Sequence, residues 1–294
     1  MFPFTETSLC NFAHKYRIQM IKCFSIIILL ASVCPAYSQY YYKDIISNKQ
    51  ARADMKGYRE NKVKQIKIKS FEDDGSLSEG FFCERKIGKD YLSSELFTRT
   101  SVSPASLVTN KFNTEGYILS TIDSSEISTT RIDYSYDEDG RLLKIVSTIR
   151  SSDDDFVTEL REEHLYEYSS DFLPDKMYRI MNYKDTIPIL FSKDESGNIS
   201  IEKDTKSGNK YFYYYDEKSR LTDIVHRSEF KEQLVPDYMF EYDANGNISQ
   251  MVSTEEGGSY YYIWKYHYQK GMKKKEECYS KDRRLLGYVE YDYK

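Results

Sequence analysis

Few residues in this chain are of types and spacings that could carry out chemistry. Beyond the N-terminal apolar segment the histidines are His164, His226 and His267, each alone within a strand-like run. No His-Glu-x-x-His, Cys-x-x-Cys or Gly-x-Ser-x-Gly accompanies them, so neither a metal site nor an activated nucleophile is signalled. Lone histidines on strand faces read as ordinary sheet residues. Carboxylates are plentiful, and a pair about 5–10 Å apart could hydrolyse a glycoside, but nothing in the linear order singles one out. The acidic stretches Glu72-Asp73-Asp74-Gly75 and Asp153-Asp154-Asp155 lack the alternating oxygen ligands and distal Glu of a calcium loop. The expectation is a noncatalytic protein without metal or cofactor.

Aromatic density is the remaining functional signal. Tyr211-Phe212-Tyr213-Tyr214-Tyr215 and Tyr260-Tyr261-Tyr262-Ile263-Trp264 put rings on both faces of their strands, where a sheet with one wet face would alternate. Exposed rows of rings stack on sugars or anchor a protein partner. Tyr214, Tyr261 and Trp264 are the candidate ligand-binding residues on this reading, with a glycan or surface protein as partner. The competing reading covers both faces, by curling or by a second layer.

These residues must be held by something regular, and a recurring phrase supplies it. Tyr136-Asp137-Glu138-Asp139-Gly140-Arg141-Leu142, Tyr215-Asp216-Glu217-Lys218-Ser219-Arg220-Leu221 and Tyr242-Asp243-Ala244-Asn245-Gly246-Asn247-Ile248 are its clearest copies. Recurrence of this kind means stacked supersecondary units. Asp first and Gly fourth suit a type I turn, and the Gly suits the left-handed residue that closes a bulged three-residue hairpin. Each phrase is therefore a hairpin corner between strands with period-two aromatic and apolar positions. Looser copies surround Gly75, Gly116 and Gly197, Arg283 takes the Gly slot in another, and Tyr168 to Pro174 is the weakest.

On these residues the chain resembles the YD-repeat, or Rhs-like, proteins, over roughly residues 63 to 294. The resemblance implies hairpins joined edge to edge into a long twisted strip. Large members coil that strip into a shell around a toxin, whereas about eight hairpins look too few for closure. No toxin domain or Asp-Pro-x-Gly core is present. The short secreted members are the better likeness, and they imply a surface or adhesive role. The alternative is an accessory of a larger Rhs-like toxin or adhesin assembly, pairing along the final edge strand.

Phe24 to Cys34 is an apolar run of 11 residues, preceded by Lys22 and followed by Ala36-Tyr37-Ser38. It is too short to span a bilayer and reads as a cleavable export signal over residues 1 to 38, with Gln39 as the first mature residue. Met20 makes a tidier start than Met1, and Val33 argues against a lipid anchor on Cys34. The expected location is the periplasm, outer surface or exterior, with no membrane span.

Net charge is −5 with no basic stripe, which argues against nucleic acid. Charged residues make up 30%, the hydrophobic class 40%, and 29 residues are Tyr, a balance that fits a thin, wet sheet.

The fold expected is thus all-β: a polar lead-in over residues 39 to 62, with Ala51 to Tyr58 a short helix, then an elongated twisted antiparallel sheet of tandem hairpins over 63 to 294. Thr98 to Thr109 reads as a long loop. Cys83 and Cys278 fall near opposite ends of such a strip and are expected to stay unpaired. Aromatic losses near the ends, at Phe71 or Tyr291, are expected to cost less than one at Tyr215 in the centre.

Overall fold

The computed structural model describes residues 39–152, 159–169, 172–227, 234–255 and 260–294. The expected export signal over residues 1 to 38 and Asp153 to Asp155 lie outside the described residues. A helical segment comes first, a π-helical stretch Tyr41–Ile46 running into helix α1, Ser47–Glu60. Eighteen strands follow: β1 Gln65–Glu72, β2 Phe82–Ile87, β3 Ser93–Arg99, β4 Ser106–Phe112, β5 Ile118–Ser125, β6 Ser128–Tyr136, β7 Leu142–Ser151, β8 Glu159–Glu167 and β9 Lys176–Met181. The second half comprises β10 Asp185–Lys193, β11 Ile199–Asp204, β12 Lys210–Tyr215, β13 Leu221–Arg227, β14 Leu234–Tyr242, β15 Ile248–Thr254, β16 Tyr261–Gln269, β17 Met272–Ser280 and β18 Leu285–Tyr293.

Every strand pairs antiparallel with its sequence neighbours, and β18 pairs with β1 from Ile66↔Tyr293 to Glu72↔Gly287. The sheet is therefore a closed barrel, which corrects the expectation of an open strip. Two physical pressures favour closure. A twisted sheet of this many strands tends to curl, and an open one would expose two rows of unpaired backbone groups. The expectation that about eight hairpins are too few for closure is corrected too, since nine hairpins close the ring.

The recurring phrase builds its corner as its chemistry dictates. Gly140 N–H donates to Asp137 O at 3.1 Å and Asp137 N–H to Arg141 O at 3.0 Å, closing the turn and then the hairpin. Gly140 has φ +79°, and Gly75, Gly116, Gly197 and Gly246 fall between +83° and +87° in the same slot. The stand-ins Ser219 and Arg283 are forced to +55° and +60°. Each clear copy carries a register shift at its aromatic, between Ser135 and Tyr136, Tyr214 and Tyr215, and Glu241 and Tyr242. The Asp side chain holds the loop from within. Asp137 Oδ1 accepts Asp139 N–H and Arg141 N–H at 3.1 and 2.8 Å, and its Oδ2 accepts Arg141 Nε at 2.6 Å. Asp216 with Arg220 and Asp243 with Asn247 repeat this. That explains the polar residue before the aliphatic.

Corners at Gly116, Gly140, Gly197, Ser219 and Gly246 each join an even to the following odd strand, so they ring one mouth of the barrel. Those at Gly75 and Arg283 join odd to even and sit at the other.

Register sorts the two faces of the wall. Ile145↔His164, Tyr166↔Met177, Tyr213↔Ile224 and Phe240↔Met251↔Trp264 point inward, and most of them belong to one buried cluster. Lys144, Glu163, Arg150, Glu159, Lys67 and Glu290 point outward, where Lys144–Glu163 at 2.6 Å and Arg150–Glu159 at 2.8 Å form cross-strand ion pairs. The interior combines this apolar cluster with a few buried charged groups, Glu202, His164 and Glu276 among them, and the exterior mixes ion pairs with apolar pairs such as Leu165↔Tyr178 and Val252↔Ile263.

Three smaller expectations change. The loop after β3 is only residues 100–105, because the β-branched and aromatic run Leu96 to Thr98 and Leu107 to Thr109 extend the strands. Cys83 and Cys278 are both free thiols, but not at remote ends. Closure puts them on β2 and β17, three strands apart, about 14 Å by strand spacing alone and still too far to bridge. The helix of the lead-in is longer than Ala51 to Tyr58, and it seats Tyr41, Ile45 and Met55 against the barrel while residues such as Lys43, Gln50 and Lys56 stay exposed.

Candidate functional site: the barrel interior and its helix

The helical segment spans about 20 residues, or roughly 30 Å, comparable with the diameter that eighteen tilted strands enclose. Its first turn rests on β8 to β14 and its last on β18 and β2 to β5, so it crosses the lumen beneath the mouth ringed by the recurring corners. Aromatic contacts seat the first turn. Tyr41 meets Tyr213 edge-on at 5.3 Å and lies 6.4 Å from Phe191, while Tyr42 packs on Tyr238 at 5.3 Å and Phe240 at 5.9 Å. At the other end Met55 is buried with Ile87, Phe112 and Ile118. Arg52 stacks 3.9 Å over the Tyr117 ring and donates to Glu115 O at 3.0 Å.

Two polar anchors fix the first turn. Glu202, fully buried on β11, accepts the backbone N–H groups of Tyr40 at 3.1 Å and Tyr41 at 2.9 Å and the Tyr213 hydroxyl at 2.9 Å. The first N–H groups of a helix have no intrahelical acceptor, so a carboxylate of the adjoining wall caps this one. Burial raises the Glu202 carboxyl to about 7.

The second anchor runs through Asp44. Its Oδ2 accepts the Tyr166 hydroxyl at 2.7 Å and sits 2.5 Å from His164 Nδ1. His164 Nε2 lies 2.7 Å from Glu162, whose other oxygen takes both Arg179 Nε and Nη2 at 3.1 and 2.9 Å. Burial opposes charge on His164, but Asp44 and Glu162 outweigh it and raise the imidazole to about 9. Burial likewise works against the Glu162 carboxylate, yet His164 and Arg179 hold it down at about 2. A histidine between two carboxylates resembles half of a catalytic relay. Here both ring nitrogens are engaged, and the group ties the first helical turn to β8 and β9.

The sequence-predicted ligand residues separate. Trp264 points inward, is 6% exposed, and donates Nε1 to Ser253 Oγ at 3.2 Å. Tyr214 and Tyr261 point outward and are 46% and 37% exposed. Between these two, on the same outer face, register places Phe212, Val225, Met239, Val252 and Ile263. Competition between faces is thus resolved by curling. Inward rings meet the helix and outward rings meet solvent. The structure does not bring Trp264 to the other two.

Tyr136, Tyr215 and Tyr242 sit at the rim with Asp137, Asp216 and Asp243, and Leu142, Leu221 and Ile248 start the next strand beneath them. Sequence reasoning missed Asp44, Glu162, His164, Arg179 and Glu202 as a group. A signal existed, since Glu202 and His164 stand at positions where their strands otherwise put apolar residues inward. Among the described residues no cluster of His, Cys, Asp or Glu could hold a metal ion, and no helix is long and apolar enough to cross a membrane.

No family model matches this chain, and no curated protein does. Among solved structures it is similar to a porin-like protein from Bacteroides uniformis, at 10% identity over 79% of this chain and 98% of that one, with a TM-score of 0.32. A porin-like protein from Bacteroides vulgatus gives 9% identity, the same coverages and a TM-score of 0.35. The Tc holotoxin pore of Photorhabdus luminescens gives 12% identity over 80% of this chain, 17% of that one, and a TM-score of 0.27. At such scores the likenesses carry no functional weight.

Proposed function

We propose that this chain is an exported, noncatalytic binding module of the short YD-repeat kind, whose barrel stands in water and whose ligand contact is the outer patch from Tyr214 to Tyr261. One observation carries the reading, the polarity of the wall. A membrane barrel is apolar outside and polar inside, and a charge on its lipid face is costly. This wall carries charged residues on its outer face, in ion pairs such as Lys144–Glu163 and Arg150–Glu159, and packs the Tyr213, Phe240 and Trp264 rings inside. Its lumen is crossed by its own helix, so the surface left for a partner is the exterior.

On that exterior Tyr214, Met239 and Tyr261 are exposed, with Asp223 between Tyr214 and Met239 and with Val252 and Ile263 between Met239 and Tyr261. A contiguous apolar patch on an otherwise charged surface marks an interface, and rings at its borders suit stacking on a glycan or packing on a surface protein. Trp264 drops out of the proposed contact. Pairing of β18 with β1 leaves no sheet edge for strand addition, so the interface uses side chains.

The test compares the purified mature chain with a Tyr214→Ala/Tyr261→Ala double variant on a glycan array and in pull-down from cell-surface fractions. Binding by the parent that the variant loses supports the reading. Indifference of every captured ligand to the double change defeats the patch. Insertion of the chain into lipid vesicles, with dye release, defeats the water-facing barrel.

A further inference from the structure

We propose that removal of the leader locks the helix into the barrel, because the amino group freed at Gln39 becomes the ionic partner of Glu202. The inference rests on the export reading for the cleavage itself; the pairing comes from the fold. Gln39 is 6% exposed and already lies in the helix, its carbonyl accepting Lys43 N–H at 2.9 Å. The next two peptide N–H groups, of Tyr40 and Tyr41, both end on Glu202. Among the described residues Glu202 has three neutral donors and no salt bridge. A fully buried carboxylate held by dipoles alone is a costly arrangement that one adjacent cation would relieve.

Hydrolysis of the Ser38–Gln39 bond by a leader peptidase supplies that cation. Water adds across the amide, Ser38 leaves as a carboxylate, and Gln39 keeps the nitrogen as an ammonium group. Any residue before Gln39 turns the same nitrogen into an uncharged amide, and the new charge then never forms at this buried position. The interior anchor thus distinguishes processed from unprocessed chain.

The experiment begins with N-terminal sequencing and intact mass of the protein exported by its own cell. Next, a chain carrying a short removable extension ahead of Gln39 is melted before and after the extension is cut off, alongside a cut chain acetylated at Gln39. The free amine is expected to raise Tm by about 2–6 °C over both blocked forms. Glu202→Gln is expected to erase the difference; if that variant does not fold, the free and acetylated parent chains decide alone. A native terminus elsewhere, or an exported chain that keeps its leader, overturns the export reading and the proposal together. A terminus at Gln39 with equal melting of free and blocked forms overturns only the pairing. Loss of ammonia from Gln39, giving a neutral lactam in the exported protein, overturns it too.

Discussion

The Tyr242 hydroxyl donates to the Leu221 carbonyl at 2.7 Å, which ties the aromatic of one recurring corner to the aliphatic of the corner before it. Tyr168 to Leu142 at 2.8 Å, Tyr215 to Ile199 at 2.8 Å and Tyr268 to Ile248 at 3.0 Å repeat the bond around the rim. A register shift falls at Tyr215, Tyr242 and Tyr268, where the strand bulges, and the aliphatic's carbonyl is the acceptor within reach. Arg220 adds a contact 4.4 Å over the Tyr242 ring. At these four positions the Tyr is therefore an inter-hairpin clasp, while the Tyr136 hydroxyl donates instead to Asn48 of the helix at 3.3 Å. Tyr242→Phe keeps the ring and loses the bond, leaving a partly buried carbonyl unpaired. The expected cost is about 1 kcal/mol. Urea titration checks it, with Tyr214→Phe, which faces outward, expected within error of the parent.

Ser219 offers the reverse change. It holds φ +55° in a slot where other corners place Gly, and a side chain in that region is strained. Its own contact, Asn198 Nδ2 to Ser219 Oγ at 3.4 Å, is exposed and long. Ser219→Gly is expected to stabilise the fold by roughly 0.5–1 kcal/mol, read as a higher urea midpoint at unchanged slope. Gly140→Ser is expected to do the opposite and by more, since a Cβ there would lie 2.1 Å from the Tyr117 hydroxyl.

Corners were legible in the chain because their chemistry is local. Asp137, Gly140 and Arg141 meet within one loop, and a five-residue window contains the whole argument. Closure was not legible, because Ile66↔Tyr293 joins residues at opposite ends of the sequence and neither strand announces its partner. The helix was half legible. Ala51 to Tyr58 lacks strand alternation, but Tyr40-Tyr41-Tyr42 has the aromatic look of the strands and is helical only because the lumen supplies rings and Glu202 to receive it. The candidate ligand residues fall on two faces for the same reason. Alternation shows that Tyr261 and Trp264 lie on opposite faces, yet which face is wet depends on the ring's curvature.

The His164 anchor gives stability a defined pH dependence. His164 is raised from its usual value near 6.5 to about 9, so its contribution is complete below pH 6.5 and is lost as pH climbs to 9. Glu162 is lowered to about 2, so its contribution is present above about pH 4.5 and is lost toward pH 2. Glu202 is raised from its usual value near 4.5 to about 7, so its contribution is complete below about pH 4.5 and is lost as pH rises to about 7. Tm is therefore expected to peak near pH 4.5, to fall gently to about pH 6.5 through Glu202, and to decline further toward pH 9 through His164. His164→Gln is expected to lower the peak by on the order of 2–3 kcal/mol and to flatten the alkaline limb. A parent profile flat from pH 6 to 9 would show that the imidazole carries no charge in the fold.

Closure itself predicts the response at the ends of the sequence. In an open strip Tyr291 would belong to a terminal strand with one free side, and its loss would be cheap. In the barrel it points inward on β18, pairs with Ile68 of β1, and donates to Glu276 Oε1 at 2.7 Å. Removing it empties the interior and strips a donor from a buried carboxylate at the seam. Tyr291→Ala is expected to cost about as much as Tyr215→Ala, roughly 3–5 kcal/mol each. Phe71 differs, for it lies on the outer face, stacked 4.7 Å from Tyr288 across the β1–β18 seam. Phe71→Ala is expected to cost only about 1 kcal/mol, the worth of an exposed cross-strand aromatic pair. Thermal melts of the three variants separate sidedness from sequence position: a small loss at Tyr291 matching that at Phe71 is the signature of an open end and would falsify the seam.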